Sequence, residues 1–281
     1  MRLGDLSLTV VSDGEFRLDG GAMFGVVPRT MWGEVKPPDE ANRIRMGTNC
    51  LLVERGSELL LIDTGIGDKL DPKLRQVYAL DPRAVRLPEA VQRAGYEVGD
   101  VTHVLLSHLH FDHCGWNTRE VGGKLVPTFP SARYFLCRGE VEHARHPNER
   151  DRASYMPANW EPLFAAGVAE LYDDGFAPLP GVRAVRAPGH NRDLCIILME
   201  GGGETAVFWA DLVPTTAHVP LPWIMGYDLY PLETLESKKL WLPQAVSGRW
   251  LGIFEHDADT PLARIVEDRP GRFRAEPVSA V

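Results

Sequence analysis

The feature that most constrains this chain is a run of metal-binding side chains directly after a short apolar segment. Residues 107–115 read Ser-His-Leu-His-Phe-Asp-His-Cys-Gly, which places three imidazoles and one carboxylate within six residues. Clustered histidines repel one another when protonated, so such a run needs a cation to organise it. The preceding residues 101–106 are apolar and β-branched, as in a buried strand. The fold must therefore place a metal-binding loop at the end of a strand, where ligand sites of α/β proteins gather.

Three solitary side chains downstream repeat this setting. His190, Asp211 and His256 each stand at or just beyond the end of an apolar, strand-like run. Taken singly, they read as a turn residue, a helix N-cap and a core histidine. Together with the first cluster they predict further ligands of the same metal centre, because histidine and carboxylate are the usual partners of divalent transition metals.

With these residues in place, the sequence resembles the metallo-β-lactamase superfamily of binuclear metal hydrolases. The family pattern is His-x-His-x-Asp-His, followed by a single His, a single Asp and a single His. Residues 59–65, Leu-Leu-Leu-Ile-Asp-Thr-Gly, also match the family's strand that ends in Asp-Thr-Gly, and the resemblance spans about residues 49–257. The residues that match the ligand pattern are His108, His110, Asp112, His113, His190, Asp211 and His256.

The resemblance implies a role for each of these residues. His108, His110 and His190 would hold one divalent ion, Asp112, His113 and His256 would hold the other, and Asp211 would bridge the two. Asp63 would either orient the ligand loop through hydrogen bonds or cap its own turn. Zn²⁺ is the expected ion, with Mn²⁺, Fe²⁺ and Co²⁺ as alternatives, because this ligand set suits all four. Cys114 is either a packing residue or a soft ligand.

Two cations that share one water lower its pKa from about 15.7 to roughly 7. The expected activity is therefore hydrolysis by a metal-bridging hydroxide. The resemblance to lactone-opening and organophosphate-hydrolysing members of the superfamily implies a lactone or related ester as the substrate, with a phosphotriester as the alternative. We expect Asp112 to relay a proton to the leaving group as well as to bind metal. Related lactonases place a tyrosine three residues after the bridging aspartate, where this chain has Pro214. Tyr227 is the predicted substitute and the second candidate catalytic residue.

Three other functions remain open. The first is an iron-dependent oxidoreductase on the same scaffold, although a complete set of seven ligands argues against an open mononuclear iron site. The second is a metal-binding protein without turnover, and the third is a nuclease. A net charge of −9 without a basic stripe counts against a nucleic-acid partner. The expected partner is a small-molecule ester or lactone.

Strands separated by helical patterns predict a layered α/β architecture. The family resemblance implies a four-layer αββα sandwich with the metals at one edge of the sheets. No linker or repeat interrupts the chain, so we expect a single domain over residues 1–281. Residues 231–246 are predicted to form a helix with a kink or break at Pro243. Residues 146–180 lose periodicity and are predicted to be an insert over the site.

The walls of the site are predicted from two further stretches. Residues 20–33 are apolar and glycine-rich, and they form either a lid or a subunit contact, which makes a homodimer plausible. In the lid interpretation, Met23, Phe24 and Trp32 form an apolar pocket. Residues 212–230 add an aromatic wall that includes Tyr227. His218 is expected at a pocket or surface position rather than at a metal.

The cysteine content and the apolar runs of the sequence predict the cellular location of the protein. The four cysteines are scattered without paired spacing, which is typical of reduced core residues in a cytoplasmic protein. The first residues lack the apolar core of a secretory signal. No apolar run approaches the roughly 18 residues that span a bilayer, so no membrane partner is expected.

Overall fold

The computed structural model describes residues 1–81, 83–84 and 86–278. The strands in this part of the chain are β1 (Arg2–Leu3), β2 (Leu6–Asp19), β3 (Arg43–Arg55), β4 (Glu58–Ile62), β5 (His103–Leu105), β6 (Thr118–Val121), β7 (Lys124–Pro127), β8 (Arg133–Cys137), β9 (Ala169–Tyr172), β10 (Val182–Arg186), β11 (Cys195–Gly201), β12 (Glu204–Phe208), β13 (Leu251–Ile253), β14 (Leu262–Arg269) and β15 (Arg272–Pro277). The helices are α1 (Gly20–Phe24), α2 (Arg29–Val35), α3 (Pro72–Val77), α4 (Leu87–Arg93), α5 (Arg138–Arg145), α6 (Glu161–Ala165) and α7 (Pro231–Ser247).

Two large sheets form the centre of the molecule. The first has seven strands in the order β1-β2-β3-β4-β5-β8-β9, and the second has six strands in the order β10 to β15. Strands β1 to β4 pair antiparallel, whereas β4, β5, β8 and β9 pair parallel. Parallel pairing turns the carboxyl ends of β4, β5 and β8 toward the same edge of the sheet. Strands β6 and β7 form a separate small hairpin.

Strand β3 shows how the first sheet is buried on both faces. Leu51 and Val53 belong to the core shared with the second sheet, whereas Cys50 and Leu52 belong to a separate cluster on the opposite face. Successive side chains of a strand point to opposite faces, so a strand buried on both sides reads as a continuous apolar run. This is the reason for the unbroken Cys-Leu-Leu-Val sequence at positions 50–53.

Helices cover the outer faces of both sheets. Leu87 and Val91 of α4 and Val141 of α5 pack in the cluster outside the first sheet. Leu242 and Ala245 of α7 join the core of the second sheet. The layers therefore run helix, sheet, sheet, helix, and the predicted four-layer αββα sandwich is confirmed.

Several elements differ from the sequence predictions. Of the kink or break predicted at Pro243, the break is wrong, because α7 continues through this residue. Pro243 lies on the exposed side of α7, where water can satisfy the carbonyl that loses its partner. Residues 146–180 are also more regular than predicted, since β9 at their end is the edge strand of the first sheet. Residues 20–33 contain the short helix α1 and the first turns of α2.

The described part of the chain contains no helix long and apolar enough to cross a membrane.

The turn after β4 lies directly against the loop after β5. The Thr64 N–H donates to the His113 carbonyl at 2.7 Å, and the Gly115 N–H donates to the Gly65 carbonyl at 2.7 Å. A Cβ atom at position 115 would overlap the backbone of Ile66 and Gly67. Glycine is therefore required at position 115, because any side chain would push the two loops apart.

We expect Gly115→Ala to lower the free energy of unfolding by about 1–3 kcal/mol, the usual cost of overpacking a well-packed interior. Urea unfolding followed by circular dichroism measures this change. Gly99→Ala is the matched control, because a Cβ at position 99 meets no atom within 4 Å. If both variants unfold at the same urea concentration, the close approach of the two loops does not constrain the fold.

Candidate metal centre

Ends of strands from both sheets deliver the seven candidate ligands to one edge of the sandwich. The loop after β5 carries the first four, His190 follows β10, Asp211 follows β12 in the short 3-10 turn Ala210–Leu212, and His256 follows β13. All seven are buried: His108, His110, Asp112, His113, His190, Asp211 and His256. Residues separated by up to about half of the chain therefore meet in one place.

The first group consists of His108, His110, His190 and Asp211. One ligand atom from each of these residues lies within 4.8 Å of the ligand atoms of the others. His190 Nε2 lies 3.0 Å from His110 Nδ1 and 3.1 Å from Asp211 Oδ2. His108 Nε2 lies 3.9 Å from the same Asp211 oxygen. Three imidazole nitrogens and one carboxylate oxygen thus surround a common point.

The second group consists of Asp112, His113 and His256, whose ligand atoms also lie within 4.8 Å of one another. His256 Nε2 lies 3.1 Å from His113 Nε2 and 3.7 Å from Asp112 Oδ2. Asp211 Oδ1 lies 3.1 Å from His256 Nε2 and 3.6 Å from His113 Nε2. Asp211 therefore faces the first group with one oxygen and the second group with the other.

Two buried atoms test whether this arrangement suits cations. His108 Nε2 and Asp211 Oδ1 are buried and have no hydrogen-bond partner among the described residues. An unsatisfied buried polar atom typically costs about 1–3 kcal/mol, and more when it is charged. His108 Nε2 faces the first group and Asp211 Oδ1 faces the second, so one cation in each group would satisfy both atoms. The donor set fits a pair of divalent ions.

The protonation states of the candidate ligands also suit cation binding. Burial lowers the pKa of His108 and of His110 well below the usual value, so both rings stay neutral, the form that binds metal. Burial works against the charged form of His256, yet the Asp211 carboxylate outweighs it and raises the His256 pKa to about 9. Because metal ligands must give up such protons, cation binding at this group releases protons to solvent.

Asp63 orients the ligand loop from the end of β4. Its Oδ1 accepts a hydrogen bond from the Ser107 N–H at 2.7 Å, and its Oδ2 accepts one from the Ser107 hydroxyl at 2.5 Å. The same Oδ2 lies 3.0 Å from His113 Nδ1. Asp63 thereby fixes both the start of the loop and the ring of one candidate ligand, as outer carboxylates of metal sites do.

Two further carboxylates hold ligand rings and were not found in the sequence. Glu255 Oε2 lies 2.9 Å from His113 Nδ1, so Asp63, His113 and Glu255 form a third buried cluster around that nitrogen. Asp228 Oδ1 lies 3.0 Å from His190 Nδ1, and its Oδ2 accepts a hydrogen bond from the Thr234 hydroxyl at 2.7 Å. The signal for Glu255 was an acid at the end of an apolar strand, whereas Asp228 stands in a loop without any pattern.

A cavity of about 360 Å³ opens above the two groups. Its lining residues are Leu18, Ala22, Met23, Tyr78, His110, Phe111, Asp112, Arg150, Asp151, Ser154, His190, Asp211, Met225, Gly226, Tyr227, Leu229 and His256. Tyr227, one of the predicted catalytic residues, lines this cavity and is 40% exposed. Burial raises the pKa of Tyr227 to about 12, so its phenol keeps the proton at neutral pH and can donate a hydrogen bond. Tyr78 brings a second phenol to the same space and stacks on Phe111 at a centroid distance of 5.1 Å.

A family model described as the metallo-beta-lactamase superfamily matches residues 43–245, which is most of the chain. This chain belongs to the metallo-beta-lactamase superfamily. The match covers six of the seven candidate ligands, and His256 lies just beyond it.

Relatives and solved structures agree with this membership of the metallo-beta-lactamase superfamily. A probable metallo-hydrolase of Mycobacterium tuberculosis is 30% identical over 220 residues, which cover 68% of this chain and 66% of that protein. The crystal structure of a probable metal-dependent hydrolase from Staphylococcus aureus superposes with a TM-score of 0.90 at 28% identity, covering 100% of both chains. The dizinc quorum-quenching lactonase AidC, in complex with a product, shares the fold with a TM-score of 0.80 at 24% identity and covers 100% of this chain and 97% of its own.

Some predictions about the walls of this superfamily site are wrong. Of the three residues proposed for an apolar pocket, only Met23 lines the cavity. Phe24 stacks between Trp32, at 5.3 Å, and His218, at 4.6 Å, away from the cavity. His218 lies neither in the pocket nor on the surface, because its buried ring contacts the Met23 carbonyl at 2.9 Å. Apolar composition predicted that these residues would be buried but not which neighbours they would contact.

Cys114 takes the packing role among its two predicted alternatives. Its buried thiol donates to the Leu109 carbonyl at 3.4 Å, and Cys114 is absent from the groups of possible ligands.

We expect Asp228→Asn to weaken metal binding by about 10- to 100-fold, the usual effect of removing a carboxylate behind a ligating histidine. Competition with a chromophoric chelator measures the affinity for Zn²⁺. Asp5→Asn is the control, because Asp5 forms a surface ion pair with Arg55 at 3.1 Å, outside the metal groups. Equal zinc affinity in the two variants would show that Asp228 does not support a metal ligand.

His218 predicts a pH dependence of stability. Burial lowers its pKa to about 3, whereas an exposed histidine titrates near 6.5. The unfolded chain therefore binds a proton that the folded chain rejects, so stability is complete above about pH 6.5 and falls as the pH drops toward 3. Between pH 7 and pH 5, we expect the free energy of unfolding of the wild type to fall by about 2 kcal/mol more than that of His218→Gln. Urea unfolding of both proteins in the same buffers measures this difference, and parallel pH curves would contradict it.

Proposed function

We propose that this metal-dependent hydrolase holds two divalent ions and opens a lactone or related ester. The observation that carries the proposal is the position of Asp211, whose two oxygens face two separate groups of histidines beneath an open cavity. We assign His108, His110 and His190 to one ion, Asp112, His113 and His256 to the other, and Asp211 to both. Zn²⁺ is the proposed ion, because the ligands are imidazoles and carboxylates.

When bound, the two ions would activate a water molecule for attack and polarise the carbonyl group of the substrate. The two carboxylates contribute two negative charges against the four positive charges of the ions. The centre would therefore remain positive and favour the anionic transition state of ester cleavage.

The remaining steps belong to side chains that line the cavity. Asp112 lines the floor of the cavity with a side chain that is 11% exposed, and its carboxylate can carry a proton to the departing alkoxide. The Tyr227 hydroxyl can donate a hydrogen bond to the carbonyl oxygen or to the leaving group. Met23, Phe111 and Met225 give the cavity an apolar wall that would hold the hydrocarbon part of an ester and exclude water.

The substrate class follows from this wall. A neutral or amphiphilic ester fits a cavity with apolar sides and a metal centre at its base, and a small lactone fits a volume of about 360 Å³. Several relatives are described as N-acyl homoserine lactonases, among them one from Bacillus thuringiensis that is 25% identical over 155 residues. A phosphotriester would use the same chemistry and is the second substrate class to assay.

We expect His110→Ala to abolish ester hydrolysis while leaving the fold intact, because His110 contributes a ligand nitrogen at the cavity floor rather than core packing. Turnover of lactones, aryl esters and phosphotriesters is measured for the zinc-loaded wild type and variant. Circular dichroism spectra of the two proteins show whether the fold is intact. His146→Ala is the control, since His146 is exposed and lies outside the metal groups. Wild-type turnover by His110→Ala on every substrate would refute the assignment.

Metal analysis separates this proposal from redox chemistry. The hydrolase is expected to bind two equivalents of metal per chain and to gain activity as the second equivalent is added. One iron per chain with a visible redox response, and no hydrolysis of any substrate in the panel, would support an iron-dependent oxidoreductase instead.

A further inference from the structure

Three segments that are distant in sequence meet at the mouth of the cavity. The Gly226 N–H donates to the Ala22 carbonyl at 2.8 Å, and the Arg150 guanidinium donates to the Gly226 carbonyl. A Cβ at position 226 would lie 3.0 Å from the Ala22 oxygen, so glycine permits this close approach. The Gly226 backbone thus joins the helical turn of Ala22 to the loop of Arg150 and fixes the position of the guanidinium.

Arg150 is electrostatically unusual in this site. It is the one lysine or arginine that lines the cavity in the described part of the chain. No carboxylate among the described residues lies within 4.0 Å of its side-chain nitrogens, although the protein carries a net charge of −9. The adjacent Asp151 approaches His143 Nε2 at 2.5 Å with its Oδ2, and its Oδ1 is buried without a hydrogen-bond partner among the described residues. Neither oxygen pairs with Arg150. Arg150 therefore brings to the mouth a positive charge that forms no ion pair with any described residue, although three carboxylates line the same cavity.

The guanidinium also keeps most of its hydrogen-bonding capacity. It has five N–H donors in a planar fork, and the Gly226 carbonyl is its one acceptor among the described residues. A carboxylate matches this fork with two parallel hydrogen bonds, which is the strongest contact that arginine makes with small anions. A phosphate dianion matches the fork as well, but it would meet more repulsion from the adjacent Asp151 carboxylate, which lines the same cavity.

We propose that Arg150 forms an anion subsite, and that the ester substrate carries a carboxylate at the end remote from the bond that is cleaved. This inference rests on the proposed hydrolase function for the position of that bond. The reacting ester group would lie at the metal groups on the floor, and the carboxylate would reach the guanidinium at the mouth. The apolar side chains of Met23, Phe111 and Met225 line the cavity and suit a hydrocarbon linker between the two ends.

The first experiment measures binding without turnover. Hexanoate and adipate have the same number of carbons and differ by one carboxylate, and each is titrated calorimetrically into the zinc-loaded protein. One carboxylate of either acid can bind at the metal groups, so the second one reports on the mouth. We expect adipate to bind about tenfold more tightly than hexanoate, beyond the twofold statistical advantage of a symmetric diacid.

Arg150→Gln should reduce this preference for adipate to the statistical factor of about two, because it removes the charge but keeps an amide donor. Arg150→Lys should keep part of it, since the charge remains while the planar fork is lost. Arg152→Gln is the matched control, because Arg152 is exposed in the same segment but does not line the cavity. It changes the net charge of the protein by the same amount and should leave the preference intact.

The second experiment measures hydrolysis. Monophenyl adipate and phenyl hexanoate release the same phenol, and the ratio of their kcat/KM values reports on the remote carboxylate. We expect a ratio of about ten for the wild type, arising mainly from a lower KM for monophenyl adipate. The ratio should be near one for Arg150→Gln. The wild-type ratio should fall as salt is added.

The outcomes separate the two proposals. Equal affinities for hexanoate and adipate in the wild type, or no binding of either acid, would overturn the subsite even if esters are hydrolysed. An equal loss of preference in Arg152→Gln would also overturn it, because the effect would then come from net charge. A preference for adipate that depends on Arg150, in a protein that hydrolyses neither phenyl ester nor any lactone, would support the subsite and refute the hydrolase.

Discussion

The whole site depends on one buried carboxylate that faces two histidine groups. Asp211 lies between His190 on one side and His256 on the other, and each of its oxygens approaches one imidazole nitrogen at 3.1 Å. Burial favours the neutral form of Asp211, but the surrounding histidines hold its pKa well below the usual value. A charged carboxylate in this interior requires positive charge on both sides. The fold meets this requirement because strand ends from the two sheets bring histidines to both sides of Asp211.

A second buried acid keeps the neighbouring loops in place. Asp13 on β2 accepts hydrogen bonds from the Ile66 N–H at 2.9 Å and from the Gly67 N–H at 3.0 Å. It also accepts from the Leu87 N–H at 2.7 Å and from the Trp116 indole at 2.6 Å. A single side chain thus connects the turn after β4, the start of α4 and the end of the ligand loop. The order of the metal-binding loop is therefore supported from outside the site as well as from within.

Much of this arrangement could be predicted from the sequence, because the ligand types and their position after apolar strands are local signals. The spacing of the run at 108–113 and the later His190, Asp211 and His256 identified the group of residues that the structure brings together. The local sequence pattern also predicted the strands, since a buried strand needs a continuous apolar run and a turn at its end.

The partners of those residues could not be predicted in the same way. Glu255 and Asp228 approach ligand rings only after the chain has folded. The position of Glu255 at the end of an apolar strand does not identify the ring that it contacts, and the loop of Asp228 carries no pattern. The stack of Phe24 on His218 involves residues far apart in sequence, so composition alone could not distinguish it from a pocket wall. Arg150 stands in a polar, irregular stretch where a charged residue is normally solvated. Such contacts depend on tertiary packing, which one-dimensional patterns do not encode.

The mouth of the cavity has a consequence for how such a protein can diverge. Its walls come from the α1 turn, from the stretch before β9 and from the loop after β12, whereas the floor stands on strand ends fixed by the two sheets. Substitution of exposed lining residues such as Arg150 and Tyr227 can reshape what enters the cavity, provided that Asp228 in the loop after β12 keeps its contact with His190. A protein with this fold can therefore change its substrate through substitutions in one segment of the cavity wall while the residues of its metal centre stay the same.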